Sequence, residues 1–144
     1  MGITNFYNKE RKVHVHNPYA DKYFKDMEQV DVMWAVLRNL YSDEQAAQFE
    51  RFCRMNIAEY RDMYAFDMEH EQEPPHHAPC CARLAMLYER QGKLKEAIDT
   101  CAFAIRIGAY EDGSKGQMYG RLARLIKKSG LNIDMQKLLE GENG

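Results

Sequence analysis

The side chains with the most chemical capacity gather in one short stretch: His70, His76, His77, Cys80 and Cys81, interleaved with Glu69, Glu71 and Glu73. Zinc takes four nitrogen or sulfur donors around a tetrahedron, usually presented as two separated pairs. Here the pairs are His76-His77 and Cys80-Cys81, adjacent residues whose side chains diverge, so the spacing reads as a polar linker followed by two helix-packing cysteines. A metal-binding or thiol-dependent protein using this cluster is the alternative function, because a helix N-terminus and nearby imidazoles favour a thiolate. Glu73 and His76 have the Glu-x-x-His spacing of di-iron bundles, but Pro74 and Pro75 between them forbid the helix that motif needs. No Gly-rich phosphate loop or nucleophile elbow is present, since Gly108, Gly113, Gly116 and Gly120 are spaced as caps and turns. No catalytic residue, cofactor or metal is assigned, and the chain reads as a non-enzyme.

The elements that must position these residues are helical. Tyr23, Met27, Val30, Trp34, Leu37 and Tyr41 recur every three or four residues, which predicts a helix over 20–41 with one buried stripe. Ser42 followed by Gln45 has the capping-box form and starts a second helix running to about His70. That helix carries two apolar faces, Phe49, Cys53, Ile57, Tyr60, Tyr64 and Met68 on one, and Phe52, Met55, Met63 and Phe66 on another, which predicts burial on two sides. Pro74, Pro75 and Pro79 break the pattern over 71–79. Helices follow at about 78–91 and 94–107, with Gly92 in the turn and Gly108 as a left-handed cap, then a helix through Met118, Leu122, Leu125 and Ile126 ended by Gly130. Asn132 is expected to cap a final short helix over 133–140. The first nineteen residues read as an arm whose Val13-His14-Val15-His16 alternation suits an extended segment or edge strand.

Composition bounds the class. The chain has 144 residues and 45% apolar side chains, enough to bury one core without disulfides, so a single helical domain spans 1–144. A net charge of −2 supplies no global drive toward nucleic acid or an anionic membrane, and no apolar run is long enough to span a bilayer. The polar start lacks a signal-peptide core, and Cys53, Cys80, Cys81 and Cys101 form no regular framework, so a cytoplasmic protein with free thiols is expected.

Leu84, Ala85, Tyr88, Gly92, Ala97, Ala104 and Ile105 fall at the spacing of a tetratricopeptide repeat, and Leu122, Ala123, Ile126 and Gly130 echo the first part of it 38 residues further on. The chain thus resembles the tetratricopeptide repeat family, with one good repeat over 78–107 and one partial repeat over 116–139. Cys81, Cys101 and Ala109 depart from the family pattern, where Trp, an aromatic and Pro are common. The resemblance implies an antiparallel helix-turn-helix array, a superhelix of about six helices, acting as a protein-binding scaffold. About three repeats are needed to bury the seams, so the first two helices must act as a degenerate repeat or cap; otherwise a homodimer is expected.

In the family, first helices line a groove that holds a peptide. Projected onto this chain, the peptide-binding candidates are Arg83, Met86 and Arg90 from the third helix, and Gln117, Arg121, Arg124 and Lys128 from the fifth. The resemblance therefore implies an acidic peptide or protein segment as partner, since arginine binds carboxylates with charge-assisted geometry. Charge reversal at Arg121 and Arg124 is expected to abolish capture. Nucleic acid is disfavoured because Tyr119 is the only aromatic near the Lys127-Lys128 patch.

Overall fold

Periodic apolar stripes of this kind fold as helices that bury one face each, and the computed structural model, which describes residues 13–141, contains six among those residues and no strand. They are α1 (Ala20–Asn39), α2 (Asp43–Glu69), α3 (Pro79–Arg90), α4 (Leu94–Arg106), α5 (Gln117–Ser129) and α6 (Met135–Leu139). The chain is an all-α array in which each of the first five helices packs against the next, α1 packs also against α3, and α6 packs against α4.

Tyr23, Val30, Trp34 and Leu37 put one stripe of α1 into the core. Asn17 sets where that helix starts. Its side-chain oxygen accepts from the Tyr19 amide at 2.9 Å, and its amide nitrogen donates to the Met63 carbonyl at 2.8 Å and to Asp67 at 3.0 Å. The beginning of α1 is thereby tied to the far half of α2. Val13–His16 form no strand; the Val15 amide donates instead to the Gln72 side chain.

The Ser42 hydroxyl caps α2 by accepting from the Gln45 amide at 3.1 Å, as the capping box predicts. Burial along α2 cuts across the two expected faces, taking Met63 from the second into the core and leaving Met68 of the first exposed. Phe49, Cys53, Ile57, Tyr60 and Met63 lie in the core, whereas Met55 and Met68 stay exposed and Phe52 and Phe66 are half-buried. The reason is length: at 27 residues α2 extends along both α1 and the shorter α3, and two neighbours cover little more than one side.

Helices α2, α3 and α4 end in the same six-residue Schellman geometry. The amide of Gln72 donates to the Asp67 carbonyl, that of Lys93 to Tyr88 and that of Ala109 to Ala104, each at 2.8 Å. The residue adopting the left-handed conformation is Gly92 (φ 76°) after α3 and Gly108 (φ 100°) after α4, but Glu71 (φ 55°) after α2. Glu71 thus does without glycine what the two glycines do elsewhere.

The final helix begins at Met135 rather than Ile133, and its cap is Asp134 rather than Asn132. The Asp134 carboxylate accepts from the amides of Gln136 at 3.0 Å and Lys137 at 3.3 Å. A carboxylate there also meets the positive end of the helix, which an asparagine cannot do with full charge. The five-residue α6 packs against α4, so among the described residues α5 has no following helix to cover it as α4 covers α3. Ala85 is accordingly buried while its counterpart Ala123 is exposed.

No helix among the described residues is long and apolar enough to cross a membrane.

Candidate functional site

The basic residues expected to grip an acidic partner are engaged within the chain. Arg83 Nε lies 3.4 Å from Asp31 of α1, and Lys128 Nζ 2.7 Å from Glu89. Arg90 donates to the Leu37 and Arg38 carbonyls at 3.4 and 3.1 Å, capping the end of α1, and its guanidinium sits 4.6 Å from the Tyr41 ring centroid. Arg121 pairs with Asp112 at 2.7 Å. Arg124 donates to the Lys115 carbonyl at 2.8 Å, and the Gln117 side-chain oxygen accepts from the amides of Asp112 and Gly113 at 2.9 and 2.8 Å. These residues fasten the α4–α5 loop and the α1–α3 and α3–α5 seams. Arg83, Met86 and Arg121 share a cleft of about 130 Å³, and Arg121, Arg124 and Lys128 one of about 160 Å³. Arg90 and Gln117 line neither.

The histidines and cysteines are separated by their packing. All four cysteines are free and buried. Burial pushes the Cys101 thiol up to about 12 and raises that of Cys53 further; a hydrogen bond to Cys81, then burial, raise that of Cys80. Those shifts are opposite to what a nucleophilic thiolate needs. His70 stacks on Phe66 with centroids 4.0 Å apart, and the His77 side chain is exposed. Among the described residues no three His, Cys, Asp or Glu side chains gather as a ligand set.

His76 has a different role. Its Nε2 faces Glu73 Oε2 at 2.6 Å and its Nδ1 faces the Gly108 carbonyl at 2.9 Å, while its ring stacks on Tyr110 at 4.6 Å and meets the edge of Tyr64 at 5.9 Å. The Pro-rich segment is consequently fastened rather than loose: the Tyr60 hydroxyl donates to the Pro75 carbonyl at 2.7 Å, and the Glu111 amide to the His76 carbonyl at 2.9 Å.

A larger concavity than either of the clefts at Arg121 lies elsewhere, between the second helices of the two pairs. Arg54, Ile57, Ala58 and Arg61 stand on one face of α2, and Glu96, Asp99, Thr100, Phe103 and Arg106 on one face of α4, each set at helical spacing. The two helices run in the same direction. Helices α1 and α3 start together, where the Tyr23 hydroxyl donates to the His77 carbonyl, and end together at Arg90 and Leu37, while the far part of α2 meets the end of α4, Tyr64 beside Gly108. Helices α2 and α4 splay over α3, whose Leu84 and Tyr88 make the floor. The trough encloses about 530 Å³. One end is held by a network in which Tyr88 donates to Glu50 and accepts from Arg54. At the other end the guanidinium carbons of Arg61 and Arg106 lie 5.4 and 5.9 Å from the Phe103 ring centroid. Arg106 also donates to the Leu138 carbonyl at 2.9 Å, which holds α6 beside α4. A second cleft of about 490 Å³ continues past these arginines, bounded by Tyr64, Tyr110, Tyr119 and Gly108.

Sequence periodicity assigned none of the residues of this trough to a site. The signal was present as a second stripe on the 94–107 helix, Glu96, Thr100 and Phe103, and was hidden because the stripe mixes acidic, polar and aromatic residues. Neither a family model, nor a curated protein, nor a solved structure matches the chain.

Proposed function

We propose that this chain is a non-catalytic protein-binding module that holds an acidic, amphipathic helical segment in the trough between α2 and α4. The observation that carries this reading is the pair Arg61 and Arg106. Both flank the half-buried ring of Phe103 at one end of the trough, and neither has a carboxylate partner among the described residues. The floor and walls nearby are apolar, from Ile57, Ala58 and Leu84, so an occupant that satisfies both needs carries an apolar stripe and an acidic flank. Aromatic and arginine side chains in a concave site are the composition of high-energy contacts in protein interfaces.

The helix pair α3–α4, with Ala85, Ala97 and Ala104 at its seam and Gly92 in its turn, supports reading the scaffold as tetratricopeptide-like. In this reading the dock belongs to the second helices of the pairs, not the first. Four free thiols suit a reducing, cytoplasmic setting.

The test uses Ala58, an exposed wall residue. In Ala58→Trp an indole fills the trough from its exposed wall and replaces no core side chain. A partner captured by the wild type is lost in this variant, and its isolated segment shifts the amide resonances of Thr100 and Phe103 in the wild type. Capture unchanged by Ala58→Trp, with no shift at α4, overturns the proposal.

A further inference from the structure

We infer that the occupant of the trough runs parallel to α2 and α4, with its carboxyl-terminal end, acidic, seated at Arg61 and Arg106. The inference rests on the reading of the trough as a helix dock. Its source is the segregation of charge along that trough. At the end where α4 begins, Glu96 and Asp99 stand on the wall, and the one arginine there, Arg54, is committed to Glu50 and Tyr88. Asp99 is met by Lys95 at 3.2 Å. At the end where α4 finishes, the wall charges are Arg61 and Arg106; Arg106 donates to the Leu138 carbonyl, and neither has a carboxylate partner among the described residues.

A bound helix carries a partial positive charge at its N-terminus, where four amides lack partners, and a partial negative charge at its C-terminus. Only the parallel orientation sets its first turn against Glu96 and its last turn against the two guanidiniums. The reverse orientation places unpaired amides against arginine and unpaired carbonyls against Glu96. Beyond the arginines the second cleft offers the hydroxyl-bearing rings of Tyr64, Tyr110 and Tyr119. Carboxylates of the last turn, or a free chain terminus, therefore meet donors that can bond them in two directions. The trough thus selects its partner by direction as well as by charge.

The full chain tests this with a displayed library of 16-residue peptides, each opened by Ser as N-cap and randomised in the first turn, the last turn and one stripe. Selection on the wild type is paired with counter-selection on Ala58→Trp. Enrichment of Asp and Glu in the last turn is the expected result, and Arg61→Glu then weakens the selected peptides by about tenfold or more, with recovery when the last-turn acids become Lys. Acids enriched in the first turn, or spread evenly, overturn the orientation while leaving the dock in place, as does unchanged binding by a folded Arg61→Glu. A library that yields nothing distinguishing wild type from Ala58→Trp overturns the dock and the orientation together.

Discussion

Arg121 Nε stands 2.7 Å from Asp112 Oδ2, and the Asp112 side chain is only 2% exposed. The same carboxylate accepts from the Ser114 amide at 2.9 Å and the Ser114 hydroxyl at 2.7 Å. Burial alone would raise the Asp112 carboxyl; the bonds from Ser114 and Arg121 outweigh it and hold the group below the ordinary carboxylate range. An anion held this way folds the α4–α5 loop around itself. Removing its cation leaves the charge buried and unpaired, which is the expensive way to break an ion pair. Arg121→Ala is expected to lower stability by about 2–3 kcal/mol, read as a shift of the urea midpoint with unchanged slope. It follows that charge reversal at Arg121 cannot serve as a clean test of partner binding, since the loop fails with the charge.

Gly108 combines two demands that no other residue type meets. Its φ of 100° lies where a side chain is strained, and a Cβ built there would stand 2.4 Å from the Tyr64 ring. Tyr64 meets Tyr60 at 5.8 Å and His76 at 5.9 Å, so its ring yields only by turning toward the second cleft and giving up those contacts. Gly108→Ala is expected to cost about 2–4 kcal/mol, backbone strain and overpacking together. A second variant, Gly108→Ala with Tyr64→Ala, isolates the steric part: it should be less destabilised than the sum of the two single changes. Additive losses would assign the whole effect to the backbone.

The fold was legible in the sequence because each helix announces itself locally. Ser42 and Gln45, Gly92, Gly108 and Gly130 mark ends by residue type, and three-to-four spacing marks the faces. The end of α2 was less distinct, since Glu71 gives no compositional hint of a left-handed turn. The candidate site was not legible. Whether an arginine grips a partner or a neighbour depends on contacts such as Arg83 with Asp31, 52 residues apart, and Lys128 with Glu89, 39 residues apart. Helical spacing placed these basic residues on faces but could not say what those faces meet. The trough escaped for the complementary reason: it exists only where α2 and α4, far apart in sequence, splay over Leu84 and Tyr88.

The thiols make a kinetic prediction. Cys53, Cys80, Cys81 and Cys101 are fully buried, and the thiols of Cys53, Cys80 and Cys101 are held in their protonated form. A disulfide reagent at mildly alkaline pH should therefore react only as the core opens, so that labelling tracks unfolding and all four thiols appear together in denaturant. A single thiol released rapidly from the native protein would contradict this packing and return the cysteines to consideration as chemistry.

The pH dependence of stability should be dominated near neutrality by His76, because both of its ring nitrogens face acceptors, Glu73 and the Gly108 carbonyl. A neutral imidazole has one N–H and can satisfy only one of them. Burial opposes the charged ring, yet the bonds to Glu73 and Gly108 and the nearby charges of Glu73 and Glu111 outweigh it, and the folded-state pKa is raised above the ordinary 6.5. The folded protein then holds more protons than the unfolded chain between that value and the raised one, so stability falls with rising pH in this window. The contribution is complete below about pH 6.5 and is lost as pH climbs through the folded-state pKa. The ring also braces Tyr110 and Tyr64, two walls of the second cleft, so deprotonation should loosen that end of the trough. Melting temperatures measured from about pH 6 to about pH 9 should decline for the wild type, and His76→Gln should flatten the slope by removing the titrating group. An equal slope in both proteins would assign the titration to another residue and leave His76 as a neutral spacer.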